Sequence, residues 1–159
     1  MAEWPLNESE LAFLQALVGS KVRFMVVGLS AAALQGAPVV TQDVDLWFED
    51  VGDPRLAAAL REVGAAYVPP FELNPPMFAG AGAELFDIVL RMDGLGPFSA
   101  EMAHCIEVPM GPLRLKALSL SRILVSKRAA NRPKDQLVIP VLEDVLAARR
   151  SKRNGRSSR

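Results

Sequence analysis

Short apolar runs alternate with helix-period segments along this sequence, which confines it to a sheet covered by helices. Arg23-Phe24-Met25-Val26-Val27 is short, rich in β-branched and aromatic residues, and ends at Gly28, the pattern of a buried strand. Ser30 to Gln35 is Ala-rich, opens on a hydroxyl suited to capping and is stopped by Gly36 and Pro38, so it predicts a short helix. Asp43 to Glu49 sets Val44, Leu46 and Phe48 against Asp43, Asp45 and Trp47, the period of two expected of a strand with unlike faces. Before this unit, Asn7 and Glu10 form a capping-box pattern, and Leu11, Leu14, Leu17 and Val18 predict a helix over 8–18.

The alternation continues downstream. Asp53-Pro54 supplies an N-cap and a first-turn proline, with Leu56, Leu60 and Val63 on one helix face ending at Gly64. The stretch containing Pro69, Pro70, Pro75 and Pro76 predicts a loop. Glu84 to Leu90 predicts a strand, 91–103 a loop or short helix, and the runs flanking Met110-Gly111-Pro112 a hairpin. Ser119 to Asn131 and Lys134 to Arg150 predict helices, with Pro133 in the first turn of the second and Pro140 expected to kink or split it. The fold class expected is α/β or α+β, a mixed sheet with helices packed on it and helices at the C-terminus.

Charge divides the chain in two. The 18 Lys and Arg balance 18 Asp and Glu, yet Arg149, Arg150, Lys152, Arg153, Arg156 and Arg159 all fall in the last eleven residues, which hold no acid. Removing those six leaves twelve bases against 18 acids, so the body carries about −6. Residues 1–148 are therefore expected to form one domain, and the Ser-, Gly- and Asn-containing stretch 149–159 a disordered basic tail. Cys105 has no partner for an internal disulfide. With neither a signal-peptide pattern nor an apolar run long enough to span a bilayer, the expected location is cytoplasmic, with no membrane partner.

Three acids carry the chemistry. Asp43 and Asp45, two apart on a strand, project from one face, and two nearby anions call for a positive charge between them. A divalent cation supplies it, and Mg2+ favours one or two carboxylates plus phosphate oxygens. Asp87 stands inside Leu85-Phe86-Asp87-Ile88-Val89-Leu90, where a carboxylate is costly to bury unless paired or metal-bound. If the two strands are neighbours, Asp87 completes the cluster. Gly28 lets backbone approach a phosphate ahead of the short helix that Ser30 opens. Lys127 can reach a triphosphate from its helix, whereas Arg128 and Arg132 are expected to be solvated. His104, the only histidine, is expected to be a packed or surface residue rather than a general base.

Taken together, Val26-Val27-Gly28-Leu29-Ser30-Ala31-Ala32-Ala33-Leu34-Gln35-Gly36-Ala37-Pro38, Thr41-Gln42-Asp43-Val44-Asp45-Leu46, Phe86-Asp87-Ile88 and Lys127-Arg128-Ala129-Ala130-Asn131-Arg132-Pro133-Lys134-Asp135 resemble the nucleotidyltransferase superfamily. The resemblance is to small bacterial members related to toxins of toxin–antitoxin and abortive-infection systems, and it covers about residues 23–146. It implies that Asp43, Asp45 and Asp87 are catalytic and hold Mg2+, and that Gly28, Ser30, Lys127 and Lys134 bind a nucleoside triphosphate. It also implies transfer of a nucleoside monophosphate to a hydroxyl of RNA (tRNA) or protein, with a cognate antitoxin as partner. The second small residue of the family's glycine turn is Leu29 here. That departure motivates the alternative of a catalytically weak nucleotide-binding or protein-interaction module on the same fold.

Overall fold

Five strands form the central sheet of the computed structural model, which describes residues 4–157. The elements in chain order are α1 (Glu8–Gly19), β1 (Phe24–Val27), α2 (Gly28–Leu34), β2 (Val44–Phe48), α3 (Pro54–Glu62), β3 (Ala66–Val68), β4 (Met77–Ala79) and β5 (Phe86–Val89). There follow α4 (Phe98–Glu101), a 3-10 turn (Met102–His104), β6 (Cys105–Met110), β7 (Leu113–Leu118), α5 (Leu120–Ala130) and α6 (Pro133–Ser157). The sheet order is β5-β2-β1-β7-β6. β1 runs antiparallel to β2 and parallel to β7, β2 parallel to β5, and β6 antiparallel to β7. This is the mixed α+β arrangement that the alternation of patterns requires.

Local chemistry sets the element ends. The Asn7 side chain accepts from the Glu10 amide while Glu10 accepts from the Asn7 amide, closing the capping box of α1. Asp53 accepts from the Arg55 amide at the start of α3. β1, at the centre of the sheet, is buried along its whole length. Because side chains alternate, Val44, Leu46 and Phe48 of β2 face one way and Asp45 and Trp47 the other. On the first face Phe13 of α1 stacks on Phe86 at 4.9 Å and meets Phe78 at 5.3 Å, and Phe78 meets Phe48 edge-on at 5.5 Å. Full burial of a side chain of that size contributes about 2–3 kcal/mol, so α1 is held chiefly by Phe13 and its leucines.

Four features depart from sequence expectation. Trp47, expected on the polar face, is buried: its ring meets Phe98 of α4 edge-on and its Nε1 donates to the Leu90 carbonyl. The segment 91–103 that covers it is pinned by buried Glu101, whose carboxylate accepts from Arg122 Nε at 2.7 Å and Nη2 at 2.8 Å. The Pro-rich stretch is the loop of a separate hairpin, β3–β4. Pro140 lies inside α6 without splitting it; Pro140 and Gln136, whose carbonyl loses its donor, are both exposed, so water can satisfy that oxygen. Finally, α6 continues as helix through Arg149–Ser157, where composition predicts a disordered tail. A helix already nucleated upstream extends at little cost, and the Arg149 guanidinium donates to the Gln35 carbonyl. Ser158 and Arg159 lie outside the described residues. Among the described residues no helix is long and apolar enough to cross a membrane.

Candidate active site

The junction of β1 and α2 sets the floor of the site. Gly28 opens α2 with φ of +64°. A Cβ there would stand 2.5 Å from Asp45 Oδ2, so glycine is demanded both by conformation and by the approach of that carboxylate. Because α2 begins at Gly28 rather than Ser30, Ser30 is not an exposed cap. It is fully buried and does not line the cleft, contrary to its expected place against a nucleotide. Its Oγ donates to the Val27 carbonyl at 2.8 Å and accepts from the Asp45 amide at 3.0 Å, locking the helix start onto β2. Leu29 is half-buried and is also absent from the cleft wall.

β2 and β5 are parallel neighbours, in register so that Asp45 lies opposite Asp87. Directly opposed residues on adjacent strands share a face, so the two carboxylates emerge on the same side. Asp43 lies just before β2 and is exposed; Asp45 is half-buried. Asp87 is exposed as well, although its apolar sequence neighbours suggest burial, because β5 is an edge strand. Burial, then the charge of Asp87, push the Asp45 carboxyl up to about 6; Asp43 adds to the rise, while Lys127 and Lys134 oppose it. Asp87 is itself pushed up by partial burial and by Asp43. The three acids therefore feel one another.

A cleft of about 320 Å³ opens beside Asp45, with Gly28, Lys127 and Lys134 on its walls. Lys127 is held by Asp135, with Nζ 3.2 Å from Oδ1. The same buried carboxylate accepts from Arg132 Nε at 2.7 Å and from the Arg132 amide at 3.0 Å. Burial raises the Asp135 carboxyl, but the hydrogen bonds from Arg132 and Lys127 outweigh it and leave it at about 2. Asp135 thus acts as a fixed anion that orients two cations where α5 passes into α6. Arg91, Asp93, Ser126 and Arg132 also line the cleft. None of these was expected there: 91–103 carries no periodicity, and the only signal was a basic residue just past the strand bearing Asp87. His104 is exposed, as expected.

No family profile matches the sequence, and no curated protein does. Solved structures do match. The crystal structure of ANT(2'')-Ia in complex with adenylyl-2''-tobramycin superposes with a TM-score of 0.57 at 16% identity, over 89% of this chain and 90% of that one. The solution structure of the antibiotic-resistance factor ANT(2'')-Ia gives 0.54 at 16% identity, over 94% of each chain. This chain has the nucleotidyltransferase fold. Within that fold the β1–Gly28–α2 unit lies beside β2, and β2 in turn beside β5, so that Asp45 stands opposite Asp87. Among the described residues no group of three or more Asp, Glu, His or Cys side chains is placed so that together they could hold a metal ion. The acids stand as an open, mutually repelling set.

Proposed function

We propose that the protein is a cytoplasmic, Mg2+-dependent nucleotidyltransferase that moves a nucleoside monophosphate from a nucleoside triphosphate to a hydroxyl of RNA, tRNA included, or of protein. One observation carries the reading: Asp45 and Asp87 stand opposite each other on β2 and β5, beside a cleft whose walls bear Lys127 and Lys134. The toxin role and the antitoxin partner implied by the sequence resemblance belong to the same proposal.

The donor set fits a hard divalent cation: Asp87 and Asp43 both push Asp45 up and Asp43 pushes Asp87 up, so a cation beside these acids would relieve repulsion and the cost of burying Asp45. Asp43, Asp45 and Asp87 would hold it, and when bound it would neutralise charge on the departing pyrophosphate. The chain's own residues do the rest. Lys127, oriented by Asp135, and Lys134 neutralise the triphosphate in the cleft. Gly28 lets the phosphates lie against backbone. The acceptor hydroxyl attacks the α-phosphorus, the bond to the β-phosphate oxygen breaks so that pyrophosphate leaves, and the hydroxyl proton passes to the Asp87 carboxylate.

A second reading concerns the acceptor alone. The ANT(2'')-Ia complex holds an adenylylated antibiotic, and here Asp43 and Asp87 are exposed, where two anions suit a cationic small molecule. Incubation with labelled nucleoside triphosphates and Mg2+, with total tRNA in one arm and tobramycin in another, separates the two acceptors. Transfer to neither, or transfer that survives Asp45→Asn, defeats the enzymatic reading.

A further inference from the structure

A second cavity, of about 410 Å³, lies at the far end of α2 and α5 from the catalytic cleft. α2 leaves the cleft at Gly28, and its C-cap Gln35 lines this cavity. α5 begins at the cavity with Leu120 and Ser121 and carries Lys127 to the cleft six residues later, about 9 Å along the helix axis. α6 starts beside the cleft at Lys134 and packs along α5, so that Arg149, Lys152 and Arg153 reach the cavity.

Those three cations occupy positions i, i+3 and i+4, one face of a helix, where like charges repel. On the neighbouring helices α5 and α6 some cations are matched, Arg128 with Glu143 at 3.2 Å and Arg122 with Glu101 at 2.7 Å. Among the described residues neither Lys152 nor Arg153 pairs with a carboxylate, and no acid lines the cavity. Arg149 is fixed at the wall by its bond to the Gln35 carbonyl. The Ser119 and Ser121 hydroxyls, 3.2 Å apart, offer further donors, and the positive end of α5 adds to the field. The remaining lining is apolar, from Ile106, Leu120 and Leu146.

From this juxtaposition of unmatched cations, hydroxyls and an apolar floor we infer that the cavity binds the phosphoryl group of a phosphate ester, either a phosphate of a nucleic-acid backbone or a small organic phosphate. Guanidinium groups and hydroxyls are the donors that phosphate oxygens take. The apolar floor suits the organic part of an ester. The inference goes beyond the catalytic reading and needs no turnover.

The test uses the full chain, without Mg2+ or triphosphate, and two probes: a short fluorescein-labelled oligouridylate and adenosine monophosphate. Two variants address the cavity and leave the catalytic cleft intact. Lys152→Gln with Arg153→Gln removes charge. Ser121→Glu places an anion in the first turn of α5, where it favours the helix, so it should fold at least as well as the native chain. Both variants should weaken binding about ten-fold or more. For the oligouridylate, the double variant should also lower the salt slope by roughly 1.4, two lost phosphate contacts at roughly 0.7 each. Loss confined to the oligouridylate assigns the site to a nucleic-acid backbone, and loss confined to the monophosphate assigns it to a small ester. Unchanged affinity for both probes in the folded Ser121→Glu protein overturns the inference.

Discussion

Gly28→Ala separates the needs of the fold from those of the site. The added Cβ would lie 2.5 Å from Asp45 Oδ2, where ordinary contact begins at 3.4 Å, so the carboxylate must retreat by about 0.9 Å. That oxygen is the free end of a side chain and can move without disturbing the sheet. The backbone cost is separate: φ of +64° penalises a non-glycine residue by about 1–2 kcal/mol, or about 2–8 °C in melting temperature for a domain of this size. Misplacing a catalytic group by about 1 Å can cost roughly 100-fold. The expected variant therefore melts only slightly early while nucleotidyl transfer falls roughly 100-fold in kcat/KM, with the loss largely in kcat. Circular dichroism melting and a labelled-nucleotide transfer assay measure the two halves. If transfer stays within about three-fold of the native chain while the melt drops as expected, Asp45 does not act from this position and the assignment of the site is wrong.

Asp45→Asn should abolish transfer yet stabilise the Mg2+-free protein. Its folded pKa, about 6 against an ordinary 3.8, means that stability is lost as pH rises through that window and stays lost above it; removing the charge should return about 1–2 kcal/mol near neutrality. Added Mg2+ should raise the melting temperature of the native chain but not of this variant. Asp135 shows the opposite sign: its folded pKa of about 2 lies below the ordinary 3.8, so its contribution is present above that range and disappears as pH falls towards 2. Melts across the acid range should show a loss on the order of 1–2 kcal/mol that Asp135→Asn flattens. Lys134→Ala should raise the KM for triphosphate about ten-fold or more with little change in melting temperature, because Lys134 is an exposed residue of the cleft wall.

Much of this site is written in local pattern. The alternation around Asp45 places it on β2, with Asp43 just ahead of the strand and not on it, and Gly28 announces the end of β1. An acid in a third apolar run points to Asp87, although the reason it is tolerated there is exposure on an edge strand and not a buried pair. Ser30 was legible as a residue of the unit but not in its role. Moving the start of α2 two residues earlier turns its hydroxyl inward, and nothing in the residue types reveals that shift. The covering of Trp47 by Phe98, the arrival of Arg91 at the cleft and the clamp of Asp135 on Lys127 are all tertiary, made by segments without periodicity or by partners brought together only when α6 folds back along α5. The basic C-terminal stretch looked unstructured because composition is silent about a helix already under way.

The position of β5 at the margin of the sheet has a kinetic consequence. On the function proposed, a triphosphate would enter the cleft between α5 and the β1–α2 turn, while exposed Asp87 on the edge strand can be approached sideways from solvent. Two reactants arriving through different doors need not queue. Initial-rate patterns should accordingly show neither partner as obligatory leader, and a bulky acceptor should be accommodated without any flap having to swing aside.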